Sequence, residues 1–82
     1  MFEFRIEVLN KKFEDTKEEV NNGKLLVYAK WEVEDLLEEA KELKSLIETE
    51  QGLQDINALI NQLTQYINEL EDFISKDCST TL

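Results

Sequence analysis

The chain has no histidine, one cysteine and two glycines among its 82 residues, and each scarcity closes off a kind of chemistry. Without histidine there is no imidazole to act as a general base, and a transition-metal site loses its commonest ligand. The lone cysteine, Cys78, has no partner for an intramolecular disulfide and no acid–base neighbour in sequence to activate its thiol. Gly23 and Gly52 are too few to build a glycine-rich loop around a phosphate. Neither Ser45, Ser75 nor Ser79 stands on a nucleophile elbow, and no acidic stretch has the alternating ligands, central glycine and terminal glutamate of an EF-hand. Paired carboxylates need a walled cleft to drive their pKa values apart, and a chain of this size has little room for one. The expectation is a protein with no catalytic residues, no metal and no cofactor.

Long apolar runs are also missing. None approaches the roughly 18 residues of a membrane span, and "MFEFRIEVLN" is charged at every second residue, unlike the core of a signal peptide. A cytoplasmic protein is expected, in a bacterial or host cell. A hydrophobic content of 41% is enough for a folded domain rather than a disordered acidic chain. With no disulfide or metal to brace it, stability must come from packing.

What the chain does have is acid, unevenly placed. Residues 1–30 carry six basic and six acidic side chains, whereas residues 31–82 carry three lysines against thirteen acids and so hold the whole net charge of −10. The hydrophobic period changes at the same place. "FEFRIEV" alternates, with Phe2, Phe4, Ile6 and Val8 on one face, which predicts a half-buried strand. "KLLVYAKW" predicts a second strand, and "NNG" before it supplies the positive-φ residues of a tight hairpin, leaving "FEDTKEEV" as a weak middle strand or loop. From Val33 the spacing is helical: Val33, Leu36, Ala40, Leu43 and Ile47, then Leu53, Ile56, Ile60, Leu63, Ile67, Leu70 and Ile74, alternate steps of three and four. The two registers do not join, and Gly52 lies at the break as a helix stop, giving an antiparallel hairpin of two helices; one long stuttered helix pairing between chains is the other reading. Leu59, Tyr66 and Phe73 form an additional stripe, for which the apolar face of the sheet is the expected partner. The predicted fold is therefore α+β, a three-stranded antiparallel meander followed by a two-helix hairpin (β-β-β-α-α). It forms a single domain over 1–77, with the sheet in 1–31, the hairpin in 33–75 and a loose tail in 78–82. Trp31, where the last strand meets the first helix, is expected to plug the core.

Two surfaces are candidates for function. Glu34, Asp35, Glu38, Glu39 and Glu42 are three or four residues apart on the first predicted helix, and each like-charge pair costs about 0.2–0.5 kcal/mol. Only Lys41 and Lys44 offset them. Rows of carboxylates resemble the phosphates of a nucleic acid. The expected partner is thus a protein with a basic nucleic-acid-binding surface, while a net charge of −10 opposes direct binding to nucleic acid or to an anionic membrane. The alternative surface is the uncharged run "INALINQLTQYIN", whose solvent side offers Asn57, Asn61, Gln62, Gln65 and Asn68 to another chain or to a second copy in a homodimer.

A short N-terminal strand, a "VNNGKLLVYA" hairpin and an acidic amphipathic helix in a compact acidic chain resemble small phage- or prophage-encoded proteins, a group that includes anti-CRISPR inhibitors. The likeness covers residues 18–50 and is one of pattern, so it transfers no site residues. It implies stoichiometric binding to a host protein.

Overall fold

The computed structural model describes residues 2–80, with side chains described over 3–76. It contains three helices, α1 (Phe2–Asn21), α2 (Leu26–Leu46) and α3 (Glu50–Thr80), and no strand among the described residues. The expected α+β fold with its three-stranded meander is overturned: the described residues 2–31 form no sheet, and the segments assigned to it are α1 and the first turns of α2. The strand component of the likeness to phage-encoded proteins goes with it.

The reason lies in which apolar residues the chain buries. Of the four that alternate in "FEFRIEV", Ile6 is buried, Val8 is half-buried and Phe4 is 70% exposed, while the Phe2 side chain lies outside the described residues. The buried set of α1 is Ile6, Leu9, Phe13 and Thr16, stepping by three, four and three. That is a helical stripe, and a polar residue at its last position hides it from a hydrophobicity pattern. In the second expected strand the buried residue is Ala29, followed by Val33, Leu36, Ala40 and Leu43, so the helical register of α2 begins inside "KLLVYAKW". β-branched and aromatic residues favour strands only where a sheet is available to pack on, and tertiary packing overrides that preference here.

The "NNG" turn is real but ends a helix instead of joining strands. Gly23 has φ +104°, its N–H donates to the Val20 carbonyl, and the Lys24 N–H reaches back to the Glu19 carbonyl. This is a Schellman cap, which needs the same left-handed glycine as a tight hairpin. The second turn is three residues long. Thr49 caps α3 by accepting the Gly52 N–H on Oγ1 at 3.2 Å. Gly52 is therefore in the first turn of α3 and is not a helix stop.

The helices run up, down and up. Lys30 of α2 pairs with Glu71 of α3 at 3.3 Å, and Ile47, the C-cap of α2, sits against Gly52, so these two helices are antiparallel. Helix α1 is antiparallel to α2, with Thr16 beside Glu32, and parallel to α3, with Phe13 edge-on to Tyr66 at 5.4 Å. The bundle measures 50 × 20 × 14 Å. Its core is one cluster built from all three helices, including Phe13, Val33, Leu43, Ile56, Leu59 and Leu63. Ala29 and Ala40, both fully buried, let the backbone of α2 come close to its neighbours. The additional stripe of α3 does find a partner: Leu59 and Tyr66 pack into the cluster that α1 shares, taking the place of a sheet, whereas Phe73 remains 54% exposed. No helix among the described residues is long and apolar enough to cross a membrane.

Candidate partner-binding surfaces

The core stripe of α2 decides what its opposite face can display. With Val33, Leu36, Ala40 and Leu43 turned inward, the intervening positions Glu34, Asp35, Glu38, Glu39 and Glu42 are all exposed along one solvent ridge. The ridge divides between two grooves. Glu34 and Glu38, with Asp35 shared between the two, border the groove towards α3, which Lys41 of α2 and Thr64 and Asn68 of α3 also line. Asp35 and Glu39 face α1, where Lys12, Asp15, Glu19 and Glu32 line the other. Among the described residues none of the five ridge carboxylates has a cation within ion-pair distance.

The acids of α1 were not legible as neighbours of this ridge, because their half of the chain is neutral overall and was assigned to a sheet. An i, i+4 pairing on α1, Asp15 with Glu19, turns them to one face, but only the antiparallel docking of α1 on α2 sets that face beside Asp35 and Glu39.

At the turn end of this groove the charges are tied. Lys24 bridges Glu19 and Glu32, 2.5 Å from an oxygen of each. These two carboxylates, Glu19 foremost, hold the Lys24 ammonium above the ordinary lysine pKa by accepting its hydrogen bonds. Buried Thr16 donates to the Lys12 carbonyl at 3.0 Å, with Glu32 Oε2 at 3.2 Å as its other acceptor. Glu32 is thus a structural clasp between α1 and α2, chemically unlike the five carboxylates further along the same helix.

The amides of α3 are exposed as a strip but do not converge. Gln62 and Gln65 border the α1 side, where Phe13, Lys17, Tyr66 and Glu69 form the groove wall. Asn68 borders the α2 side. Asn57 and Asn61 are also exposed. Beside Gln65, the Lys17 ammonium lies 4.4 Å from the centroid of the Phe13 ring. Tyr66, half-buried there, has its phenol pKa raised by burial and, secondarily, by the nearby Glu69 carboxylate.

Trp31 is not a core plug. It is 56% exposed, because the buried register of α2 passes through Ala29 and Val33 and leaves Trp31 between them on the outer side. Tyr28 stacks edge-on against it at 5.5 Å, and Leu25, Val27 and Ile74 line the same groove. Sequence reasoning missed this apolar surface. The signal was present in the spacing, since Leu25, Tyr28 and Trp31 fall three apart and off the heptad that buries Ala29 and Val33.

No protein-family model, curated protein or solved structure matches this chain.

Proposed function

We propose that the chain is a non-enzymatic protein-binding module, a stoichiometric inhibitor or modulator whose α2 ridge occupies the basic surface of a nucleic-acid-binding protein. The observation that carries this reading is the separation of charges on the folded surface. Lys17, Lys24, Lys30 and Lys76 are each engaged by carboxylates away from the ridge, whereas Glu34, Asp35, Glu38, Glu39 and Glu42 have no ion-pair partner among the described residues. At a rise of about 1.5 Å per residue the ridge is roughly 12 Å long, so its carboxylates come at about one per 2.5 Å. Duplex DNA presents about one charge per 1.7 Å of axis, and one of its strands about one per 3.4 Å. The ridge therefore offers a basic groove a charge density in the range it meets on nucleic acid, mounted on a rigid helix. The fixed spacing matters because a pre-organised surface loses less entropy on binding than a flexible acidic tail.

The test uses the tagged chain and a variant in which Glu34→Gln, Asp35→Asn, Glu38→Gln, Glu39→Gln and Glu42→Gln remove charge with little change of shape. The native chain is expected to capture a nucleic-acid-binding protein at low salt, to release it at high salt, and to compete with duplex DNA for it. Equal capture by the neutralised variant overturns the proposal.

A further inference from the structure

Helix α1 is the least firmly held of the three. Its buried stripe has three apolar residues, Ile6, Leu9 and Phe13, and ends on Thr16, whereas α2 buries Ala29, Val33, Leu36, Ala40 and Leu43. Charge works against its docking. Over Phe2–Asn21 the chain carries four basic and six acidic side chains, a net −2, and this helix packs on a remainder of −8. Both of its grooves are acidic on both walls. Towards α2, Asp15 and Glu19 share a groove with Asp35 and Glu39, and Lys12 is the one cation lining it. Towards α3, Glu3 and Glu7 share a groove with Asp55 that no cation lines. Among the described residues no ion pair joins an α1 side chain directly to α2 or α3: Lys17 pairs with Glu14 of its own helix, and the bridge from Glu19 to Glu32 runs through Lys24 in the turn. The polar anchors of α1 thus gather at the turn, where the Thr16–Glu32 hydrogen bond also lies.

We propose that α1 is a hinged arm, pivoting at the 22–25 turn, whose docking is controlled by positive charge from outside the chain, either dissolved cations or the basic side chains of a partner on the ridge. The second source rests on the function proposed above; the first is a property of the free chain. Screening decides the sign of the salt effect. At 0.01 M salt the Debye length is about 30 Å, more than the 20 Å breadth of the bundle, so the carboxylates of α1 feel all those of its neighbours. At 1 M it is about 3 Å, which spares the 2.5 Å contacts of Lys24 and silences repulsion across a groove. Salt therefore closes the arm and leaves its clasp in place. A basic segment seated over Asp35 and Glu39 does the same locally, because Asp15 and Glu19 form the opposite wall of the groove it enters.

Two acids of α1 separate this effect from the chemistry of the helix itself. Asp15 has Lys11 and Lys12 one turn before it and Glu18 and Glu19 one turn after, and Glu7 has Glu3 before and Lys11 after, so at helical spacing both are electrically balanced. Removing either charge relieves repulsion across a groove and little else.

The experiment is residue-resolved amide hydrogen exchange of the full chain in about 0.01 M and about 1 M sodium chloride. At low salt the Leu9 and Phe13 amides are expected to exchange about tenfold or more faster than those of Leu43 and Leu63, because an undocked helix of this length is marginal in water. High salt should close most of that gap, and hexalysine added at low salt should do the same. Asp15→Asn and Glu7→Gln should each slow α1 exchange about two- to fivefold at low salt and blunt its response to salt, whereas strengthened apolar burial would act on them as on the native chain. Exchange of α1 in step with α2 and α3 at every salt concentration overturns the proposal. So does a salt response that both variants retain in full or that hexalysine fails to reproduce. If hexalysine closes the arm and the ridge captures no nucleic-acid-binding protein, the arm stands and the function proposed above falls.

Discussion

Ile47 and Gly52 face each other across the turn between α2 and α3 so closely that a Cβ on Gly52 would stand 2.7 Å from Ile47 Cγ2, and 2.8 Å from the Thr49 hydroxyl that caps α3. Ile47 is a buried core residue, and Thr49 holds the Gly52 N–H. The tight turn, the helix cap and the bottom of the core therefore depend on one absent side chain.

Replacing Gly52 by alanine should destabilise the bundle, although alanine is the better helix former by about 1 kcal/mol. The added methyl displaces either a β-branched core residue or the capping hydroxyl, and overpacking of this kind typically costs about 1–3 kcal/mol. Thr49→Ala removes the cap alone and should cost about 1 kcal/mol. Urea unfolding monitored by circular dichroism checks both. A Gly52→Ala chain more stable than the native one would show that the contact relaxes freely.

The place of α1 in the core is tested by contrasting two phenylalanines. Phe13→Ala empties a buried site against Tyr66 and should cost about 3–5 kcal/mol, a large share of the stability expected of so small a domain. Phe73→Ala, at an exposed site, should change stability by no more than about 0.5 kcal/mol. Thermal melts of the two variants should separate clearly. Similar melting points would mean that α1 does not dock as described.

Relieving the acidic ridge should stabilise the fold. Glu38→Lys converts repulsions with Glu34, Asp35 and Glu42 into attractions at helical spacing and one attraction, to Lys41, into a repulsion, each pair contributing about 0.2–0.5 kcal/mol. The expected gain is about 1 kcal/mol at low salt, fading at high salt. Denaturant midpoints in the two conditions read this out. A gain that does not depend on salt would point to helix propensity instead.

Alkaline titration reports on Tyr66. Its folded pKa lies above the ordinary value of about 10, so the folded state holds the phenol proton more tightly than the unfolded chain does. That contribution to stability is complete below about pH 10 and is lost as pH rises through the folded pKa. Lys24, whose pKa is also raised, has the same sign, so stability should fall through both groups as the solution is made more alkaline. In a Tyr28→Phe chain the tyrosinate absorbance belongs to Tyr66 alone. Its midpoint should lie above 10 in the folded chain and return to about 10 in denaturant.

The helical half of the fold was legible and the N-terminal half was not, for a common reason. In α2 the buried positions Val33, Leu36, Ala40 and Leu43, and in α3 Ile56, half-buried Ile60, Leu63, Ile67 and Leu70, keep to steps of three and four over several turns, long enough to outweigh any competing pattern. In α1 the core positions are only Ile6, Leu9, Phe13 and Thr16, with a polar residue among them, and exposed Phe4 completes an alternation that the fold does not use. A left-handed glycine at position 23 was anticipated, yet a hairpin and a Schellman cap ask for the same residue, and only the elements on either side distinguish them. The acidic ridge followed from helical spacing alone. Its neighbours Asp15, Glu19 and Lys12 did not, because they reach it through docking of a helix that the pattern concealed.

The central claim is that the ridge carboxylates form a working surface rather than a solubilising one. The measurement that tests it most directly is quantitative capture of partner proteins by the native chain and by the five-residue neutralised variant, after both are shown by circular dichroism to be equally folded. The account predicts a nucleic-acid-binding protein captured at low salt by the native chain alone and displaced by duplex DNA. The same proteins retained by both chains, indifferent to salt and to DNA, would contradict it.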